Sequence, residues 1–218
     1  MSAWTELASH ARAGIPLDVL VTLTLLGIAP FLLVTCTSFV RIAVVLSLVR
    51  SAIGASAVPP NAALTGLALV LTLVVMSPTL RAVERDAIDP YAHGRISQSQ
   101  ALLRAAQPVR AFMLRQTHTA DIALFERVAG RTGESPDRAP TLVLLPAFAV
   151  GELRSGFAIG FALYLPFVAI DLAVAAMLMG LGMVMLSPPV VSLPVKLLLF
   201  VMVDGWAMIC GGVATSFR

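Results

Sequence analysis

Between Gly156 and Leu186 the chain is apolar except for one carboxylate, Asp171. As a single straight helix this segment would extend about 46 Å, well past the roughly 30 Å of a bilayer's hydrocarbon core. A chain that carries such a run has to tilt it, bend it or break it. Pro166, Gly180, Gly182 and the pair Pro188 and Pro189 are the expected break points, because proline removes a backbone donor and crowds the preceding turn. Three further apolar stretches cover residues 19–34, 62–80 and 190–213. Pro30 interrupts the first of these, and Pro59 with Pro60 separates it from the second. The pattern predicts an all-α chain of bent and broken membrane-type hairpins, two apolar stretches on each side of a polar middle.

Composition agrees with that class. Of the 218 residues, 58% are hydrophobic and 12% charged, with a mean hydropathy of +0.92, outside the balance of a soluble globular domain. The formal charge of +3 rests on arginines, with Lys196 the single lysine, and they are scattered rather than gathered into a tract. No nucleic-acid surface is expected from them. Cys36 and Cys210 lie in apolar sequence without a partner spacing and read as small buried residues. The segment before Asp18 carries Glu6, His10 and Arg12 and has no small-residue cleavage site, so a cleavable signal peptide is not expected.

The chain reads as one unit in three parts: a first hairpin over 17–80, a polar region over 81–140 and a second hairpin over 141–218. The polar region holds nine arginines and seven acids and has its own helix signals. Ser97 followed by Gln100 forms a capping box, and Leu102, Leu103, Ala106, Val109, Phe112 and Met113 then recur at helical spacing. A second short helix is expected from Asp121 through Ile122, Phe125 and Val128, ending at Gly130. Both are amphipathic helices that pack on neighbours rather than spans.

Five charges interrupt the apolar sequence: Arg41, Glu152, Asp171, Lys196 and Asp204. Each would cost about 2.5–3.5 kcal/mol at a bilayer centre, so they face protein, water or one another. Lys196 and Asp204 are too far apart on one helix to bond directly, which leaves Asp171, or another copy, as the expected mate of Lys196. Two roles follow from such charges, a proton path or ion pairs that fix assembly. The rough balance of acids and bases favours assembly. No H-E-x-x-H, G-x-S-x-G, P-loop or G-x-G-x-x-G motif is present, and the three histidines lie in polar sequence far apart. Neither an enzyme, a cofactor nor a metal site is expected, and the absence of an internal repeat argues against a secondary transporter.

Four segments carry a family resemblance. TSFVRIAVVLSLVRSAIGASAVPPN, LALVLTLVVMSP, PAFAVGELRSGFAIGFALYLPFVAIDL and GMVMLSPPVVSLPVKLLLFVMVDGW are similar, in this order, to successive blocks of the FliP/SctR (YscR) proteins. These are export-gate subunits of bacterial type III secretion, with flagellar and injectisome branches, and the resemblance runs from about Leu17 to Arg218. It implies a pentameric helical assembly joined by FliQ/SctS-like and FliR/SctT-like subunits, in contact with an FlhB/SctU-like switch protein and passing unfolded polypeptides. It also implies a complex at the bacterial inner membrane that stands largely on the periplasmic side. In such proteins a methionine-rich loop before the proline projects into the pore as a gasket. The matching positions are Met183, Val184 and Met185, where the family commonly has three methionines. Methionine suits a seal because an unbranched, polarizable chain fills an irregular bore and rearranges around what passes. Val184 departs from the pattern with a side chain stiffer at χ1. FMLRQTHTADIALF and the closing TSF resemble the flagellar branch, which is the branch favoured, whereas the short length and missing signal peptide resemble injectisome members.

Overall fold

The computed structural model describes residues 17–54, 58–130, 138–183 and 185–217, with side chains placed from Leu23 onward except that of Leu25. Among them the protein is entirely helical. Helix α1 (Leu17–Cys36) and α2 (Phe39–Ile53) meet at a bend of 63°. Then come α3 (Asn61–Val83), which continues through one π-helical turn into the short α4 (Asp89–Ala92), and α5 (Gln98–Gln116) with α6 (Thr119–Val128). The last part is α7 (Thr141–Gly180), α8 (Pro188–Met202) and α9 (Gly205–Thr215), the final two bent by 65°.

Local signals explain most helix ends. The Ser97 hydroxyl accepts from Gln100 N–H at 3.4 Å while the Gln100 side chain accepts from Ser97 N–H at 3.2 Å, the reciprocal box expected for α5. The short helix near Asp121 begins slightly earlier than expected, at Thr119, and gives way at Gly130. Pro59 and Pro60 lie between α2 and α3, with Pro60 as the N-cap of α3, so they separate helices as expected.

Other expectations need correction. Pro166 does not break the third apolar run: α7 continues through Pro146 and Pro166 for 40 residues. Each proline removes a single backbone bond, here the one to Ala162 in the case of Pro166, while the turns on both sides keep theirs and their packing. Pro30 likewise lies inside α1, and the bend falls at Thr37–Ser38. Pro188 and Pro189 open α8, where the first turn has no use for their missing donors. Lys196 and Asp204 do not share a helix, because Asp204 stands at the bend before α9 in a left-handed conformation with φ 49°. Finally, α2 was not among the four apolar stretches, yet it is the central helix.

Its face Ile42, Val45, Leu46, Val49 and Ile53 is buried against Leu64 and Ala68 of α3, Phe167 of α7, Phe200 of α8, and Ile209 and Val213 of α9. A second cluster joins Cys36, Met76, Phe112, Met113, Ile122, Val143, Leu144 and Phe148, so α5 and α6 cover the start of α7. Helices α2 and α7 cross closely because Gly156 and Gly160 have no side chain. A Cβ at Gly160 would lie 2.3 Å from Leu48 Cδ1, and one at Gly156 would lie 3.2 Å from Val44 Cβ. Among the described residues two helices, Asn61–Ala92 and Thr141–Gly180, are long and apolar enough to cross a membrane, or up to four if each bent pair counts as one span.

Candidate functional site

The turn between α7 and α8 carries the methionines. Gly182 ends α7 with φ +72°, a conformation that costs a side-chain-bearing residue energy and glycine little. Its N–H donates to Met179 C=O at 3.0 Å and Met183 N–H donates to Leu178 C=O at 2.9 Å, the paired bonds of a Schellman stop. The chain then turns through Met183, whose carbonyl accepts from Leu186 N–H at 3.2 Å. Pro188 and Pro189 restart the helix with φ already set. The turn is therefore held by backbone hydrogen bonds and leaves its methionines open to differing degrees: Met183 is 44% exposed and Met185 is 99% exposed. Val184 lies outside the described residues.

More than two helical turns away from the methionine turn along both helices, α7 and α8 share an ion pair. Lys196 Nζ lies 2.6 Å from Asp171 Oδ2 and also donates to the Ala52 carbonyl of α2 at 3.0 Å, while Ser192 Oγ donates to Asp171 Oδ1 at 2.7 Å. The pairing of Lys196 with Asp171 is the one the sequence suggested. It is lopsided, since the lysine side chain is 6% exposed and the aspartate 42%.

The other interior charges form a closed site. Arg41 of α2 grips Glu152 of α7, with Nε to Oε2 at 3.1 Å and Nη2 to Oε1 at 2.5 Å, both side chains buried. Nη2 also donates to Gln116 Oε1 at 3.3 Å, and Nη1 donates to Ser216 C=O at 3.0 Å and to Ser216 Oγ at 3.3 Å. The guanidinium lies 3.9 Å from the centroid of the Phe217 ring. A third pair docks the polar region, where buried Asp121 of α6 takes both Arg154 amines of α7 at 2.7 and 3.0 Å. Asp204 stays exposed, bonded through its backbone to Val201 and Met208, and its carboxylate has no polar partner among the described residues. Among the described residues the five charges thus fall into two separate pairs and one single carboxylate.

Similarity to known proteins decides the class. The family model described as FliP family matches residues 22–213. The chain belongs to the FliP family. Among curated FliP-family relatives, the flagellar biosynthetic protein FliP of Pectobacterium carotovorum is 46% identical over 99% of this chain and 88% of its own length. The protein of the same name from Bacillus subtilis is 42% identical over 91% of this chain and 90% of its own, and that of Cereibacter sphaeroides is 44% identical over 92% and 67%. FliP-family membership makes the chain a structural gate component without catalytic chemistry. It also agrees with the helices long and apolar enough for a membrane.

Gln116, Ser216, Phe217, Gly156 and Gly160 were absent from the sequence candidates. For the glycines a signal existed, the small-x-x-x-small spacing of GFAIG. For Gln116 and the tail none did, because their partner is remote in sequence.

Proposed function

We propose that the chain is a pore-forming subunit of the flagellar type III protein export gate, conducting unfolded polypeptides past a gasket made by Met183, Val184 and Met185. The observation that carries this reading is the methionine turn. Its backbone is pinned by a glycine stop on one side and two prolines on the other, while Met185 has nothing of its own chain to pack on. A thioether that finds no contact in the subunit is available to meet its counterparts in a ring, where soft side chains close a bore without fixed bonds.

In this reading five copies join FliQ/SctS-like and FliR/SctT-like subunits and meet an FlhB/SctU-like switch protein. Helix α7 spans about 60 Å at 1.5 Å per residue, about twice the hydrocarbon thickness, so part of it stands in water or protein. The amphipathic helices α5 and α6 pack on its first half, which supports a complex that projects out of the hydrocarbon, in this reading on the periplasmic side of the inner membrane. Lys196, Asp171 and Asp204 serve assembly: one half-open pair and one exposed carboxylate remain for neighbouring subunits.

The test is small-ion conductance in cells carrying the assembled gate. Met183→Ala with Met185→Ala raises the leak while gate recovery is unchanged, and Val184→Met lowers any residual leak or leaves it as it is. An unchanged leak in the double alanine variant, with the gate shown to be assembled, returns the methionines to ordinary surface residues. Swimming motility against effector secretion separates the flagellar from the injectisome role.

A further inference from the structure

A guanidinium has five N–H donors: one on Nε and two on each Nη. At Arg41 all are engaged, three by Glu152 and Gln116 and the remaining two by Ser216 alone. The tail is held in return, because Gln116 Nε2 donates to the Phe217 carbonyl at 3.1 Å. The Phe217 ring lies over the guanidinium and stacks on Phe112 at 6.3 Å with 25° between planes. A buried cation with unmet donors is costly, so the tail and Arg41 depend on each other.

We infer that Ser216 and Phe217 form a latch that completes the buried Arg41 site and locks the end of the second bent hairpin onto α2, α5 and α7. The latch is independent of the gasket: it requires only that the chain fold as described. Its physical content is coupling. Removing the tail strands Arg41, whereas removing Arg41 and Glu152 together leaves the tail little to satisfy. Lysine cannot replace Arg41, since a point ammonium has three donors and no plane for Phe217 to cover.

The experiment compares deletion of residues 216–218 in two backgrounds, the wild-type chain and Arg41→Met with Glu152→Leu, by thermal unfolding of the detergent-purified full chain. The deletion lowers the midpoint by at least about 5 °C in the wild-type background and by less than half as much in the double variant. Equal losses in both backgrounds, or none in the wild type, overturn the latch. A photocrosslinking amino acid at position 217 of the otherwise native chain gives a second readout that needs no folded variant. Crosslinks to the Arg41 or Phe112 peptides of the same chain support the latch, and crosslinks only to other subunits or lipid overturn it.

Discussion

The Arg41 site and the methionine turn are built in opposite ways. Around Arg41 every donor has an acceptor, Glu152 is fully buried, and all the partners come from the same chain. At the turn, backbone hydrogen bonds fix Gly182, Met183 and Leu186, yet the methionine side chains are open to solvent, Met185 at 99% exposure. A closed site belongs to the fold, since removing any member leaves another unsatisfied. An open one adds little to the subunit's own stability and is free to serve an assembly. Lys196 with Asp171 lies between the two, its cation buried and its carboxylate half open.

The sharpest way to break this comparison is at the closed site. Arg41→Met alone leaves Glu152 as an unpaired buried charge and should cost about 3–5 kcal/mol, seen as loss of folded chain in thermal unfolding or in steady-state level. Adding Glu152→Leu should restore much of that. If the single variant is as stable as the wild type, the site is not closed in the sense described.

Next in size is the crossing beside it. Gly160→Ala places a methyl against Leu48, with 2.3 Å to its Cδ1 and 3.0 Å to its Cβ, so the side chain's far end can turn away but its root cannot. A cost of about 1–3 kcal/mol is expected, with Gly156→Ala milder because its nearest contact is 3.2 Å. Equal effects at the two glycines would contradict the crossing geometry.

Lys196→Met should disturb the subunit less, about 1 kcal/mol, because Asp171 keeps Ser192 and reaches water. Its effect should appear instead as reduced recovery of the whole gate. Normal assembly with an altered pH dependence of export would move this pair to a proton path.

The smallest change in stability is expected at the open site. Met183→Ala with Met185→Ala should shift unfolding by less than about 0.5 kcal/mol, because exposed side chains away from packing contribute little. Ion leakage is where this variant shows itself. A large loss of stability would mean that the turn is packed and the contrast with Arg41 is false.

Much of the architecture was legible without coordinates. The capping box at Ser97 and Gln100, the stop at Gly130, the separation at Pro59 and Pro60 and the pairing of Lys196 with Asp171 all follow from short-range rules or from the cost of lone charges in apolar sequence. Helix α2 was not legible, although its apolar face is the most deeply buried in the molecule. Arg41 and Arg50 break its hydropathy, and only the presence of Glu152, Gln116 and Ser216 around Arg41 makes that arginine an interior residue.

The sequence by itself determined the helical class, the membrane-type composition, the family and the place of the methionine turn, because each is written in hydropathy, local backbone preference or contiguous motif. Tertiary structure alone decided that α7 runs unbroken through Pro146 and Pro166, that α2 is the centre of the core, and that the tail meets Arg41. The physical reason is range. A cap or a glycine stop is settled within a few residues, whereas the worth of a charge or a missing hydrogen bond depends on what packs around it. At Arg41 the deciding partners lie 75, 111 and 175 positions away.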